Sequence, residues 1–202
     1  MKLYYTPSAC SLAVHIILRE GNYDFDLESV DLKQKKTETG KDFLTINPLG
    51  YVPVLEIDSG QTLTEVAVIL QYLGDKASKN LIPSFGSFER YQLLMWLQFI
   101  STEIHKAFGP LFKDETPEEF KNTSKQNILK KFEYLDKHLA SNDYVFNQQF
   151  TIADAYLFVT LRWAFHFKMD LQAYPNLYAY FRRIDKRESV QDTLAAENKK
   201  KG

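Results

Sequence analysis

Every segment that reads as β-strand falls within the first 63 residues, and everything beyond about residue 88 reads as helix, so the chain divides by secondary-structure type. Met1 to Tyr5 is β-compatible and ends at Thr6-Pro7, after which Cys10 to Glu20 carries a helical pattern stopped by Gly21. Leu27 to Leu32 alternates as a second strand, and Lys41 to Leu44 opens a short helical segment closed by Asn47-Pro48-Leu49-Gly50. Val52 to Ile57, Asp58-Ser59-Gly60 and Gln61 to Leu63 spell a strand, a tight turn and a strand. From Glu65 to about Lys76, Val66, Ile69, Leu70 and Leu73 recur at helical spacing. The expected first domain is therefore a β-α-β-α-β-β-α unit over residues 1–80.

Residues 77–88 are rich in Ser, Lys, Asn, Pro and Gly, the composition of a linker. Beyond it, helices are expected from Glu89 to Phe108, Pro117 to Leu139, Thr151 to Phe165 and Pro175 to Arg187, with a short tail helix, giving an all-α domain over residues 87–202. Within that domain Phe150-Thr151-Ile152-Ala153-Asp154 places Thr at N-cap and Asp at N3 of an apolar helix, an aspartate version of the capping box. Its role is structural.

Charge and cysteine content narrow the function. Lys+Arg 25 against Asp+Glu 26 leaves a net charge of −1, so no global positive field exists to hold a phosphate backbone, and nucleic acid is excluded as a principal partner. The basic run Asn198-Lys199-Lys200-Lys201-Gly202 reads as solvated terminal charge. No apolar stretch approaches the roughly 18 residues of a membrane span, and the opening residues are too short and polar for a signal peptide, so no membrane partner and a cytoplasmic location are expected. The one cysteine, Cys10, rules out an intramolecular disulfide, a Cys-X-X-Cys pair and a thiolate-rich zinc site, and no ligand cluster suggests a metal.

Cys10 stands at the predicted start of a helix, where unpaired amides and the positive dipole end favour a thiolate, against the alternative of a buried structural cysteine. Pro53 after Val52 belongs at a strand start, is compatible with a cis or a trans bond, and can leave the backbone of Val52 open to pair with an extended peptide ligand. Glu65, just before a helix, either complements the dipole or faces a ligand ammonium. Lys35 belongs to the charge run Lys33-Gln34-Lys35-Lys36, whose members look equivalent. Thr102 and His105 share an i, i+3 face beside Lys106, with Trp96, Phe99, Ile100 and Ile104 as the apolar stripe.

Taken in order, Lys2-Leu3-Tyr4-Tyr5 to Cys10-Ser11, Asn47-Pro48, Val52-Pro53-Val54-Leu55, Leu63-Thr64-Glu65, His105-Lys106 and Phe150 to Asp154 closely resemble a bacterial beta-class glutathione transferase across almost the whole chain. The resemblance implies a thioredoxin-like α/β N-terminal domain that binds glutathione, an all-α C-terminal domain supplying much of the electrophile pocket, and a homodimer. It makes glutathione a co-substrate, with no permanently bound cofactor, and small hydrophobic electrophiles the second substrate.

By the same resemblance, Cys10 matches the cysteine facing the glutathione sulfur, with Tyr5 and Ser11 nearby. Val52 matches the residue whose backbone pairs with the cysteinyl portion, Pro53 the family's cis-proline, Glu65 the γ-glutamyl binder and Lys35 a glycyl-side contact. Thr102, His105 and Lys106 match positions lining the site, Gln98 replaces an asparagine that reaches across the dimer, and Trp163 looks like a pocket-side aromatic, Lys106 and Phe112 being assigned to the electrophile pocket with it. Val66 stands where the family usually has Gly, Ser or Thr, leaving only its backbone amide for the glutamyl carboxylate. Asn147 takes a glycine-like turn position. The expected activity is conjugation of the glutathione thiolate, with Cys10-dependent thiol–disulfide exchange beside it. The competing reading is a non-catalytic ligand carrier or regulator on the same scaffold.

Overall fold

The computed structural model describes residues 1–199 and falls into two compact units: Met1–Leu81 together with the chain from Arg187 onward, and Ile82–Lys186. In the first unit, β1 (Lys2–Tyr5), α1 (Ser11–Glu20), β2 (Asp26–Asp31), β3 (Lys36–Thr37), β4 (Val54–Glu56), β5 (Thr62–Leu63) and α2 (Val66–Lys76) follow in chain order. The five strands lie in the order β3-β2-β1-β4-β5, with β1 parallel to β2 and every other pairing antiparallel. This is the thioredoxin-like arrangement. The two-residue β3 was not expected, because a strand that short leaves no alternation to read.

Alternation along β1 sends its side chains to two different layers. Tyr4 joins Val30, Phe43, Val52 and Val54 in one buried cluster, against which Ala9 packs. Leu3 and Tyr5, both fully buried, take the opposite face, where the Tyr5 ring meets the His15 edge of α1 at a centroid separation of 6.0 Å. Helix α1 is buried from Ser11 through Leu18, which explains why its apolar residues run almost without interruption.

The third side of α1 is covered by α8 (Glu188–Lys199), and here the structure departs from the expected domain limits. The sequence places the tail helix in the helical domain, 87–202, whereas its contacts group it with the first unit. The reason is electrostatic as well as apolar. Glu20 accepts hydrogen bonds from Arg187 (2.8 Å) and Ser189 (2.6 Å), and Glu197, 2 % exposed, holds both His15 (3.0 Å) and the backbone amide of Ser8 (2.9 Å). Of the terminal basic run, Asn198 and Lys199 close α8, and the rest lies outside the described residues.

The second unit contains α3 (Phe88–Phe99), a π-helical segment at Ile100–His105, α4 (Lys106–Phe108), α5 (Glu118–Leu139), α6 (Ile152–His166) and α7 (Pro175–Asp185). Helix α6 is apolar on all sides because it forms the centre of this unit. The capping box at its start is present. The Asp154 carboxylate accepts from the Thr151 amide (2.7 Å) and hydroxyl (2.8 Å), and also from the Val145 amide (2.8 Å) and the Tyr180 hydroxyl (3.0 Å). It therefore joins three segments in addition to capping one helix. Asn147 adopts φ +58°, the left-handed conformation expected of its position. Among the described residues no helix is long and apolar enough to cross a membrane.

Candidate functional site

The first unit gathers Cys10, Val52, Pro53 and Glu65 by local geometry. The chain leaves β1 at Tyr5, turns through Thr6 to Ala9 and enters α1 with Cys10 as its N-cap residue. Ser11 closes that turn: its hydroxyl accepts from the Thr6 amide and donates to the Thr6 carbonyl, both at 3.2 Å, and the side chain is buried. Ser11 thus shapes the loop that presents Cys10, and both its polar contacts are spent on Thr6. Glu197 fixes the same loop from α8 through the Ser8 amide, and Ser8 has φ +65°.

The Val52–Pro53 peptide is cis, and the Val52 carbonyl faces Cys10, whose Sγ donates to it at 3.3 Å. Burial pushes the Cys10 thiol up to about 12, a push that its own amide and that of Ser11 oppose and the charge of Glu65 reinforces. Desolvation therefore favours the thiol over the thiolate that a helix start would favour. The helix N-terminus does supply donors to the sulfur, but desolvation of the sulfur outweighs them, and the proton remains on a thiol that has found an acceptor.

Glu65 occupies φ +65° and ψ 117°, a conformation that L side chains rarely take. Its carbonyl starts α2, but its carboxylate makes no capping bond and stands exposed. A capping role does not account for it. Val66 follows as the first residue of α2 with its side chain buried, so only its backbone is presented outward.

Lys35 is separated from its neighbours in the charge run. It has φ +55°, donates to the Gly50 carbonyl at 2.9 Å and lies 5.8 Å from the ring centroid of Tyr51, the residue immediately before Val52 of the cis peptide. Lys33 and Lys36 are exposed. Tyr5 is the member of the expected set that the fold sends elsewhere. Strand alternation turns it to the α1 face, fully buried, where its hydroxyl has no hydrogen-bond partner among the described residues and burial, with the charge of Glu197, raises it to about 12.

In the second unit, the π-helical segment corrects the expected i, i+3 pairing of Thr102 with His105. An i→i+5 bond from the Lys106 amide to Ser101 widens the turn, so residues three apart no longer lie one above the other. Thr102 is exposed and donates back to the Gln98 carbonyl at 3.0 Å. His105 turns inward: Nδ1 and the Tyr156 hydroxyl share a hydrogen bond of 2.6 Å, and its ring meets Trp163 edge-on at 4.9 Å. Burial, then the charge of Lys106, lowers His105 to about 4, so the imidazole is neutral at physiological pH.

Trp163 continues the contact to Phe112, at 5.2 Å and 87°, and Phe112 is half exposed. His105, Trp163 and Phe112 thus form a continuous aromatic wall, while Lys106 and Gln98 are exposed on the same stretch of chain. Among the described residues no group of three or more His, Cys, Asp or Glu side chains is placed to hold a metal ion.

Comparison with known proteins decides the family. The chain matches the model of the glutathione S-transferase N-terminal domain over residues 7–76 and that of the C-terminal domain over residues 99–188. It is 46% identical to the glutathione S-transferase GstA of Escherichia coli O157:H7, covering 99% of this chain and 100% of that protein. This chain belongs to the glutathione transferase family.

Among solved structures, this transferase superimposes with a TM-score of 0.95 on a sphingomonad glutathione S-transferase complexed with glutathione, at 46% identity over 98% of this chain and 99% of the other. The beta-class enzyme of Sphingomonas chungbukensis matches equally well, at 0.95 and 47% identity, covering 98% of each chain. The transferase therefore has the expected architecture. Sequence reasoning missed Glu197, His15 and Tyr156, which position the Cys10 loop and the His105 ring. Glu197 and His15 lie 182 positions apart and His105 and Tyr156 lie 51 apart, and no local pattern joins either pair.

Proposed function

We propose that this transferase joins glutathione to small hydrophobic electrophiles, with the glutathione thiolate as nucleophile. The observation that carries this reading is the pairing of the Cys10 thiol with the Val52 carbonyl beside the cis peptide, next to an uncapped Glu65 held at positive φ. A γ-glutamyl ammonium gives Glu65 the partner it lacks, and the Val52 backbone suits the extended cysteinyl portion. Lys35, beside the Gly50 carbonyl, pairs with the glycyl carboxylate in this reading. The backbone amide of Val66 receives the γ-glutamyl carboxylate.

In conjugation, the glutathione sulfur forms a bond to the electrophilic carbon and the leaving group departs with the bonding pair. Cys10 is spared as a nucleophile by its high pKa and serves as a neutral neighbour of the incoming sulfur. His105, neutral with its ring fixed by Tyr156 and Trp163, is the hydrogen-bonding group of the helical half, with Phe112 and Lys106 bordering the electrophile and Thr102 and Gln98 on the exposed side.

A second reaction follows from the same cysteine. The minor thiolate form of Cys10 attacks a glutathione mixed disulfide, the S–S bond breaks, and the released thiolate takes up a proton. Glutathione thiolate then attacks the Cys10 mixed disulfide, giving glutathione disulfide and returning the Cys10 thiol.

The transferase acts as a cytoplasmic homodimer in this reading. Phe85 (92 % exposed) precedes a stripe on α3 formed by Phe88 (73 %), Tyr91 (60 %) and Met95 (68 %), a continuous apolar surface that a second copy would cover. Sedimentation equilibrium giving twice the chain mass, and a monomer for Phe88→Glu, supports it.

The activity is tested by incubating the protein with glutathione and an activated aryl chloride. Thioether formation proportional to enzyme above the uncatalysed rate is expected, and a rate equal to the background with several electrophile classes contradicts the proposal.

A further inference from the structure

Nδ1 of His105 and the hydroxyl of Tyr156 share a hydrogen bond of 2.6 Å, and the two rings stand edge to face with centroids 5.7 Å apart at 85°. Tyr156 lies on α6, 2 % exposed, and Trp163, seven residues further along the same helix face, meets the imidazole at 4.9 Å. Where the proton of the Nδ1 contact sits decides what His105 offers to a ligand. We infer that Tyr156 is a positioning residue for His105: its hydroxyl donates to Nδ1, the imidazole carries its own proton on Nε2, and this N–H is the donor that His105 presents to the glutathione sulfur. The presence of that sulfur rests on the conjugation proposed above, whereas the tautomer rests on the contacts within the second unit alone.

A hydrogen bond between two groups that can each donate runs from the stronger acid to the stronger base. A phenol, with a pKa of about 10, is a much stronger acid than the N–H of a neutral imidazole, and the bare imidazole nitrogen, with a pKa of about 6.5, is a much stronger base than a phenol oxygen. His105 is neutral, because burial and then the charge of Lys106 hold it at about 4. In a neutral ring one nitrogen donates and the other accepts, so acceptance at Nδ1 leaves the proton on Nε2. Nε2 makes no hydrogen bond among the described residues, and it is not one of the enclosed polar atoms, His105 being only partly buried. It is the edge of the ring left for a ligand.

This arrangement suits a thiolate. An imidazolium beside a sulfur anion would transfer its proton and quench the nucleophile, whereas a neutral Nε2–H is too weak an acid to do so and stabilises the charge by a hydrogen bond alone. Tyr156 also fixes the direction of that bond, because turning the ring by half a revolution would bring a carbon against the phenol and lose the Nδ1 contact. The base on which Tyr156 stands is rigid: Asp154, two residues earlier in α6, accepts from the Val145 amide, the Thr151 amide and hydroxyl and the Tyr180 hydroxyl.

The test has a spectroscopic and a kinetic arm, both on the full chain. Two-bond proton–nitrogen correlation spectra of the histidine rings at about pH 7 distinguish the two neutral tautomers, with His105 assigned by the signal missing in His105→Ala. Wild type should show Nε2 protonated and Nδ1 bare and hydrogen-bonded, and in Tyr156→Phe the Nδ1 resonance should move to the position of an unbonded ring nitrogen. In conjugation, Tyr156→Phe should lower kcat about fivefold and leave the KM for glutathione within about twofold, because Glu65, Lys35 and Val52 are untouched. In a His105→Ala background the same change should have no further effect. Nδ1 protonated in wild type, an unchanged kcat in Tyr156→Phe, or an equal loss in the His105→Ala background would each overturn the inference. The wild-type spectrum gives the answer if Tyr156→Phe fails to fold. Absence of conjugation in wild type would contradict the proposed activity, and the spectrum would still decide the tautomer.

Discussion

The Cys10 sulfur donates to the Val52 carbonyl at 3.3 Å, linking the first residue of the α1 cap to the residue preceding the cis-proline. This contact defines the state of the cysteine: a half-buried, hydrogen-bonded thiol whose desolvation favours the protonated form, in a position where the helix start alone suggests an anion. It also sets how the cysteine should respond to reagents and to replacement.

With Cys10 raised to about 12, only about one part in 10⁵ is thiolate at pH 7. Its alkylation by iodoacetamide in the absence of glutathione should be slow and should rise with pH throughout pH 7 to 10 without a plateau. A plateau below pH 8 would show a thiolate the structure does not support. Cys10→Ala should abolish mixed-disulfide formation, seen as loss of the glutathionyl mass adduct, while conjugation persists.

Glu65 is bound to two opposing consequences by its backbone. Replacing it by Ala removes the partner of a ligand ammonium, and glutathione affinity should fall by about 1 to 3 kcal/mol, read by titration. Replacing it by Gly removes the same side chain but also relieves the cost of φ +65°. The Gly variant should therefore unfold at higher denaturant than the Ala variant, by about 1 kcal/mol, while binding glutathione as poorly. Equal stabilities would show that the conformation carries no strain.

His105 should mark the acid side of the stability profile. Its folded pKa of about 4 lies below the 6.5 of an unperturbed histidine, so the unfolded chain binds more protons between those values. Its contribution is complete above pH 6.5 and is lost as pH falls through 4, on the order of 2 kcal/mol. Asp154 works in the opposite direction, since burial raises it to about 6 from an ordinary 3.8, and its contribution is complete below 3.8 and lost as pH rises through 6. The informative quantity is therefore the difference between wild type and His105→Gln. That difference should shrink as pH falls from 6.5 to 4, and a constant difference would refute the buried neutral imidazole.

Asp154 should be far more costly to remove than an exposed cap. Asp154→Ala strands the Val145 and Thr151 amides and the Tyr180 hydroxyl in a buried place, and a loss of about 3 to 5 kcal/mol is expected in chemical denaturation. Asp154→Asn, which keeps an acceptor oxygen, should lose less. A cost near 1 kcal/mol, the value of a simple N-cap, would mean that the links to Val145 and Tyr180 carry no energy.

What the sequence made legible was what short spans encode. The capping box needs four residues, the Asp58-Ser59-Gly60 turn three, and the position of Cys10 follows from a strand, a turn and a helix in succession. The remainder depends on distance in sequence or on solvent. Helix α8 carries no local sign that Glu197 belongs under Ser8 and His15. The pKa of Cys10 follows from burial, which its helix-terminal position does not reveal. Tyr5 enters the expected site by the family resemblance, and one step of strand alternation carries it to the other face of β1. The π-helical widening at Ile100–His105 is invisible to an α-helical period, so the sequence misreads the relation of Thr102 to His105.

The central claim is that the first unit holds glutathione noncovalently beside a protonated Cys10. Calorimetric titration of the reduced protein with glutathione, run in parallel on Cys10→Ser, tests it most directly. Saturable binding of one glutathione per chain is expected in both proteins, with affinities within a few-fold of each other. Absence of binding in either protein would contradict the claim and leave a ligand carrier or regulator on the transferase scaffold as the better description.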